Sequence, residues 1–421
     1  MGIKKKKIAN IFPKDFLWGA STSSHQIEGG NTNNWSEWEK ETAEERAKRV
    51  EGYPWCNIPG HLKDIATDPR SRVSGIACDS FNRYSEDIDI LKELGLNGYR
   101  FSTEWSRIFP ENGEPSAEGI SYYKGLIRDL KKEGIEPMLT CWHWTLPLWV
   151  KEEGGLMGKN IEENLRRYFE VLVDEFGDDV KYWITLNEPD VVSYASYCSG
   201  EWPPQGKNIF GYLYLYYIRM ARIHRIGYEV IKRKRPDAIV GVAKQNSSFE
   251  AYNEMPWNRV VVRMVKSFAS ELYLNRIADK LDFIGLNYYF HNKIGIMGLK
   301  NDNDRRSDAG WWMSPAHLYD ALVDLKKYNL PVIVTENGVA DSKDQYRGWW
   351  LDESFKAMRR ALEAGVDLRG YFHWSLLDNF EWASGFYPQF GLAEVDRESL
   401  DRKIRPSGYH YKDLIEMERG K

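Results

Sequence analysis

Two glutamates of this 421-residue chain stand in matching surroundings. Tyr182-Trp183-Ile184-Thr185-Leu186 is a short aromatic, β-branched and apolar run that reads as a buried strand, and Asn187-Glu188-Pro189 follows it. Pro189 cannot donate to a ladder, so the strand stops there and leaves Asn187 and Glu188 at its carboxyl end. The pattern returns in Pro331-Val332-Ile333-Val334-Thr335, followed by Glu336-Asn337-Gly338. Two carboxyl groups at one rim suit cleavage of a glycosidic bond: one protonates the leaving oxygen, the other attacks or stabilises an oxocarbenium-like carbon. The pair works only if its surroundings push the two pKa values apart. Arg100 next to Glu336 favours the ionised form, a nucleophile assisted by the Tyr289 hydroxyl. Glu188, with no cation assigned to it, is left protonated as general acid and later serves as base toward water. A separation of about 5–5.5 Å means retention and about 6.5–9.5 Å inversion, and the sequence leaves that distance open.

These residues need a scaffold that brings strand ends together. After Phe16–Ser21, helical periodicity through Phe81, Tyr84, Ile88 and Leu91 begins at Asp79, a candidate cap, and stops at Gly95. Strand-like runs then recur at Gly98–Ser102, Glu136–Trp144, Tyr182–Leu186, Ala238–Ala243, Leu281–Tyr289, Pro331–Thr335 and Leu368–Ser375. Helical stretches separate them: about 119–133, one opened by Asn160 with Glu163, about 208–234, about 315–327, and one capped by Asp352. Eight short buried strands alternating with helices predict an α/β fold, a single (β/α)₈ TIM barrel over residues 1–421. Such a barrel needs about 250 residues, so the remainder is expected in long loops over the C-terminal face. Residues 31–78, polar and bearing Trp35, Trp38 and Trp55, read as one irregular excursion. A doubly wound open sheet is the alternative, disfavoured because no GxGxxG follows the first strand.

On this reading the strand ends carry Gln26, Arg100, His143 with Trp144, Asn187 with Glu188, Asn287 with Tyr289, Glu336 and Trp374. Each alone has an ordinary explanation: a salt-bridged core arginine, a satisfied core histidine, amides acting as caps. Together they describe a cleft with work to do. The 17 Trp, 25 Tyr and 17 Phe fill a core first, but indoles beside polar strand ends also suit the C–H face of a sugar. A net charge of −4 and a pI near 6.1 give no footprint for nucleic acid or an anionic membrane. No 18-residue apolar run exists, and the Lys4–Lys7 run leads into no signal-peptide core. Four scattered cysteines (Cys56, Cys78, Cys141, Cys198) fit a reduced cytoplasmic protein without a structural disulfide. Abundant Lys and Glu are compatible with a thermophilic source. HExxH, GxSxG and Walker A patterns are absent, so neither metal nor cofactor is expected.

Thr185-Leu186-Asn187-Glu188-Pro189 and Val334-Thr335-Glu336-Asn337-Gly338 resemble the acid/base and nucleophile signatures of glycoside hydrolase family 1 β-glycosidases. The similarity runs from Phe16-Leu17-Trp18-Gly19 and His25-Gln26-Ile27-Glu28-Gly29, through Arg100-Phe101-Ser102 with Glu104-Trp105-Ser106-Arg107, to Asp378-Asn379-Phe380-Glu381-Trp382. The resemblance implies the barrel and a retaining double displacement, with Glu336 forming a glycosyl-enzyme. It gives sugar-binding roles to Gln26, His143, Trp144, Asn187, Trp374, Glu381 and Trp382, and a pocket-lining role to Phe390. Arg100, Asn287 and Tyr289 would support the nucleophile, and Trp311 would line the aglycone side. Glu381 argues against a 6-phosphoglycoside and Glu188 against a thioglucosidase. Gln389 stands where the family often has Arg, which is expected to loosen the loop carrying Glu381. The expected activity is exo-hydrolysis of terminal β-glucosyl, β-galactosyl or β-fucosyl residues from short oligosaccharides or aryl and alkyl glycosides, with room for a homo-oligomer. The alternatives are a β-mannosidase or transglycosylase on this scaffold, or a non-catalytic sugar-binding or sensing protein.

Overall fold

A computed structural model of the chain describes residues 11–50, 58–301 and 305–420. The expected Trp55 and Cys56, and the Lys4–Lys7 run, lie outside the described residues. Eight parallel strands close into a barrel: β1 (Leu17–Ser21), β2 (Gly98–Ser102), β3 (Glu136–Trp142), β4 (Tyr182–Asn187), β5 (Ile239–Gln245), β6 (Phe283–Tyr288), β7 (Val332–Asn337) and β8 (Leu368–Trp374). Neighbours in sequence are neighbours in the barrel, and β1 closes it by pairing with both β2 (Gly19 opposite Gly98) and β8 (Leu17 opposite Gly370).

The strands are buried on both faces, as their near-continuous apolar runs require. Inside the barrel, Leu17, Met138, Ile184, Ala243, Phe283, Ile333 and Phe372 form one packed cluster. Two glycines make room for its rings: a β-carbon on Gly98 would meet the Phe372 ring at 3.0 Å, and one on Gly241 the Phe283 ring at 2.7 Å. The far larger apolar cluster lies between strands and surrounding helices. The helices follow the expected periodicities: Ser80–Glu93, Ala117–Lys132, Ile161–Phe176, Ala221–Lys234 and Arg347–Glu363.

Several local expectations are corrected. The described part of 31–78 is not one irregular excursion: it holds the short helix Lys63–Thr67 and, before it, the 16-residue helix Asn34–Arg49. Its polar sequence hides an apolar stripe only four residues strong, Trp35, Trp38, Ala43 and Ala47. Its start is well marked, because the Asn33 side chain accepts from Trp35 N and Ser36 N while the Ser36 hydroxyl accepts from Asn33 N. Asp79 does not cap its helix; at φ 52° its carboxylate accepts from the Asn82 side chain instead. Asn160 makes no cap bond either. Asp352 sits inside its helix and holds His410. That helix is started by Asp341, whose carboxylate accepts from Tyr346 N at 2.6 Å and Arg347 N at 2.9 Å. Cys78, Cys141 and Cys198 are unpaired thiols. Among the described residues no helix is long and apolar enough to cross a membrane.

Candidate active site

The carboxyl ends of the strands bring together the residues that the sequence singled out. Arg100, on β2, is fully buried and spends its guanidinium on four partners. Nε donates to Thr140 Oγ1 at 3.1 Å, one amino group donates to the Thr335 carbonyl at 3.2 Å and ion-pairs with Glu336 Oε1, and the other donates to Asn187 Oδ1 at 2.6 Å. The second Glu336 oxygen accepts from the Tyr289 hydroxyl at 2.8 Å. Glu336 is thus held by a cation and a phenol.

Glu188 lies just past β4, in a left-handed conformation at φ 42°. Its backbone N–H donates to Ala243 O at 2.8 Å, which turns the side chain out of the strand path. The carboxyl meets an amide, not a cation: Asn287 Nδ2 donates to Oε1 at 2.9 Å and to Asn187 Oδ1 at 3.2 Å. The orientation of that amide is fixed by Thr335, whose hydroxyl donates to Asn287 Oδ1 at 2.6 Å. Burial, then the negative charges of Glu336 and Asp190, push the Glu188 carboxyl well above the usual carboxylate range. Asp190 is itself bound by Lys244 at 2.7 Å, a pair that the sequence reading missed although Asp190 directly follows the Glu188-Pro189 turn.

Around this pair stands a polar and aromatic wall. Burial and the Arg100 charge hold His143 well below the usual imidazole range. The neutral ring accepts from Asn187 Nδ2 through Nε2 at 3.0 Å, leaving Nδ1 as a buried donor without a protein partner. Trp144 donates its indole N–H to the Asn187 carbonyl at 2.8 Å. Trp382 lies between two imidazoles, stacked on His25 at 5.5 Å and on His143 at 5.7 Å. Gln26 reaches the same loop, donating to Phe380 O at 2.7 Å, Asn379 Oδ1 at 3.0 Å and Glu381 Oε2 at 3.4 Å. Burial, with Glu336 nearby, pushes the Glu381 carboxyl up to about 8. Trp374 packs with Tyr289 and Phe390, and Trp311 closes on the same group, 5.8 Å from both rings.

Gln389, expected to loosen the loop carrying Glu381, is bonded through both its backbone and its side chain. The Gln389 carbonyl accepts from Asp341 N at 2.9 Å and from Arg347 at 3.0 Å, and its side-chain oxygen accepts from Arg405 at 3.0 Å.

Outside this floor opens a cavity of about 810 Å³, lined by Glu381, Trp382 and Trp311 together with Trp38, Trp202 and Phe290. Glu188 and Glu336, only 5 % and 4 % exposed, lie deeper. The lining residues Trp202 and Phe290 escaped the sequence reading. Phe290 had a signal, as the residue next to Tyr289; Trp202 had only its place in a polar loop. A second cavity of about 390 Å³ lies behind Trp38 and Trp144. The only trio of metal-type donors among the described residues, Glu250, His291 and His317, includes none of these site residues.

The sequence profile described as Glycosyl hydrolase family 1 matches residues 8–273 and 251–420. The chain is 32% identical to Beta-glucosidase A of Thermotoga maritima, over 99% of this chain and 98% of that one. It is 31% identical to a 1,4-beta-D-glucan glucohydrolase of Thermotoga neapolitana, over 96% and 98%. Among solved structures it resembles the β-glucosidase from Thermotoga maritima in complex with glucoimidazole, at a TM-score of 0.85 and 30% identity, covering 97% of this chain and all of that one.

Proposed function

We propose that this chain, which belongs to glycosyl hydrolase family 1, is a retaining exo-β-glycosidase acting as one domain over residues 1–421. Its substrates are terminal β-glucosyl, β-galactosyl or β-fucosyl residues of short oligosaccharides or of aryl and alkyl glycosides. The observation that carries the mechanism is the unequal treatment of two neighbouring carboxyl groups. Glu336 meets the Arg100 cation and the Tyr289 hydroxyl, the surroundings of a carboxylate ready to attack. Glu188 meets an amide, an apolar burial and two other carboxyl groups, which keep its proton on.

In the first step Glu188 gives that proton to the glycosidic oxygen while Glu336 bonds to the anomeric carbon and the aglycone departs. Glu188, now ionised, takes a proton from water, and the hydroxide equivalent displaces Glu336 with a second inversion. Asn187, held by Arg100, His143 and Asn287, presents its amide toward the 2-hydroxyl. Glu381 and Gln26 bind the outer hydroxyls, the free Nδ1–H of His143 supplies another donor, and Trp374 lies beneath the ring. Trp144, Trp382 and Phe390 shape the pocket wall, and Trp311 faces the aglycone. The relatives named as β-glucosidases support glucosides as the first choice.

The test is nitrophenol release from p-nitrophenyl β-glucoside, β-galactoside, β-fucoside and β-mannoside by wild type and Glu336→Gln. Activity on the first three that falls to background in the variant is expected. Sugar binding without turnover by the wild type would hand the site to a binding protein instead.

A further inference from the structure

We infer that Glu250, His291 and His317 form a structural site for one divalent cation of the zinc class, beside the wall of the large cavity. One ligand atom from each residue lies within 4.8 Å of those of the other two. Strand register brings two of the three together. Ser248–Ala251 pairs in parallel with His291–Gly295, Ser248 opposite His291, so Ser248, Glu250 and His291 share one face of this small sheet. His317 ends the 3-10 turn Pro315–His317 and leads into the helix Leu318–Leu325. The three ligands come from separate segments, which is why the sequence shows no metal-ligand spacing.

Each imidazole spends its Nδ1 on a serine hydroxyl: His291 on Ser248 at 2.7 Å and His317 on Ser314 at 2.7 Å. When the hydroxyl accepts, the ring carries its proton on Nδ1 and keeps the Nε2 lone pair for a ligand. This is how an outer partner orients a metal-binding histidine. His291 Nε2 stands 3.4 Å from Glu250 Oε2. That matches the edge of a tetrahedron whose corners lie about 2.0–2.2 Å from its centre. The two imidazoles stack at 3.6 Å with their planes 15° apart, so an ion is taken by fanning the rings about their Cβ–Cγ bonds while the serine hydroxyls follow. Two imidazoles and one carboxylate leave a fourth position for water, and this nitrogen-rich set suits zinc, whereas calcium and magnesium take oxygen ligands. Entry is open, because the Glu250 side chain is 53 % exposed and His317 is half-buried.

The position of the site gives the ion a task. Just before His291 come Tyr289, which donates to Glu336, and Phe290, which lines the 810 Å³ cavity; Asn292 lines it as well. An ion bound here ties that stretch to the start of a barrel helix, adding to the bond from the Tyr288 hydroxyl to Ser314 O at 2.7 Å. It stiffens the cavity wall and takes no part in the two-carboxyl chemistry.

The experiment is titration of the chelator-stripped full chain with Zn²⁺ against a chromophoric chelator, for wild type and Glu250→Gln/His317→Gln. Wild type is expected to bind one equivalent and to gain Tm when Zn²⁺ is added, since an ion held only by the folded chain stabilises it. The double variant changes the two solvent-accessible ligands. It is expected to keep the Tm of the metal-free wild type, which reports an intact fold, and to lose both the tight equivalent and the Tm gain. Ser314→Ala is expected to weaken binding about 10–100-fold, because the His317 ring loses its orienting partner. A wild type that takes up no saturable equivalent overturns the inference. So does a double variant that binds Zn²⁺ as tightly as wild type, because the ion would then be held by other groups.

Discussion

The floor of the barrel mouth and the exposed rim beside it, the Pro256–Lys266 helix with the Ile296–Met297 hairpin tip, depart from ordinary burial in opposite senses. At the floor, Arg100, Asn187, Asn287, Glu188 and Glu336 are polar and at most 5 % exposed. At the rim, Trp257, Val260, Met264 and Met297 are apolar and more than half exposed. The floor tolerates its inversion because its polar groups are held by named partners: Arg100 alone reaches three strand ends. The rim side chains, by contrast, stand out from the core among the described residues. A buried polar group with partners and an exposed apolar group without them are both informative, but the first tells of chemistry within and the second of contact without.

The comparison can be broken first at Arg100. Arg100→Met strips a buried cation from Glu336 and a donor from Asn187, and is expected to cost about 3–5 kcal/mol of stability. Urea unfolding measures it, and a loss below 1 kcal/mol would make the floor no more integrated than a surface ion pair. Glu188→Gln comes next. Glycosides with poor leaving groups should lose about 10²–10⁴-fold in kcat/KM, and activated aryl glycosides much less. The acid must be protonated and its pKa is raised, so wild-type activity falls as pH rises through that pKa; this alkaline limb should vanish in the variant. The same substitution is expected to raise the Tm, increasingly toward alkaline pH. The sign follows from a carboxyl whose ionised form is disfavoured in the folded state, a penalty that is absent in acid and grows above the unfolded pKa. The smallest effect belongs to the rim: Val260→Ser and Met297→Ser should change stability by no more than about 0.5 kcal/mol, because neither side chain contributes to the core.

Much of the floor was legible because each strand announces its own end. Pro189 stops β4 and the acidic or amide residue before it must face the cleft. The Glu336-Asn337-Gly338 run does the same for β7. What escaped was structure whose signal is spread across distant segments. The Asn34–Arg49 helix reads as solvated charge because its buried stripe is only two tryptophans and two alanines. The brace of Gln389 comes from Arg347 and Arg405, neither of which is near it in sequence. The exposed rim was hidden by its resemblance to an ordinary amphipathic helix: Trp257, Val260 and Met264 have the spacing of a core-facing stripe, and only tertiary contact shows which way it points.

The packed plug of Phe283, Phe372 and their neighbours fills the barrel axis beneath the site, so on the proposed reaction sugar, departing alcohol and attacking water use the C-terminal mouth as their doorway. On the proposed double displacement this fixes the order of traffic. The alcohol must clear the doorway before water can arrive, and the freed sugar, lying deepest, is the last to leave. A product that lingers in that doorway obstructs the next arrival.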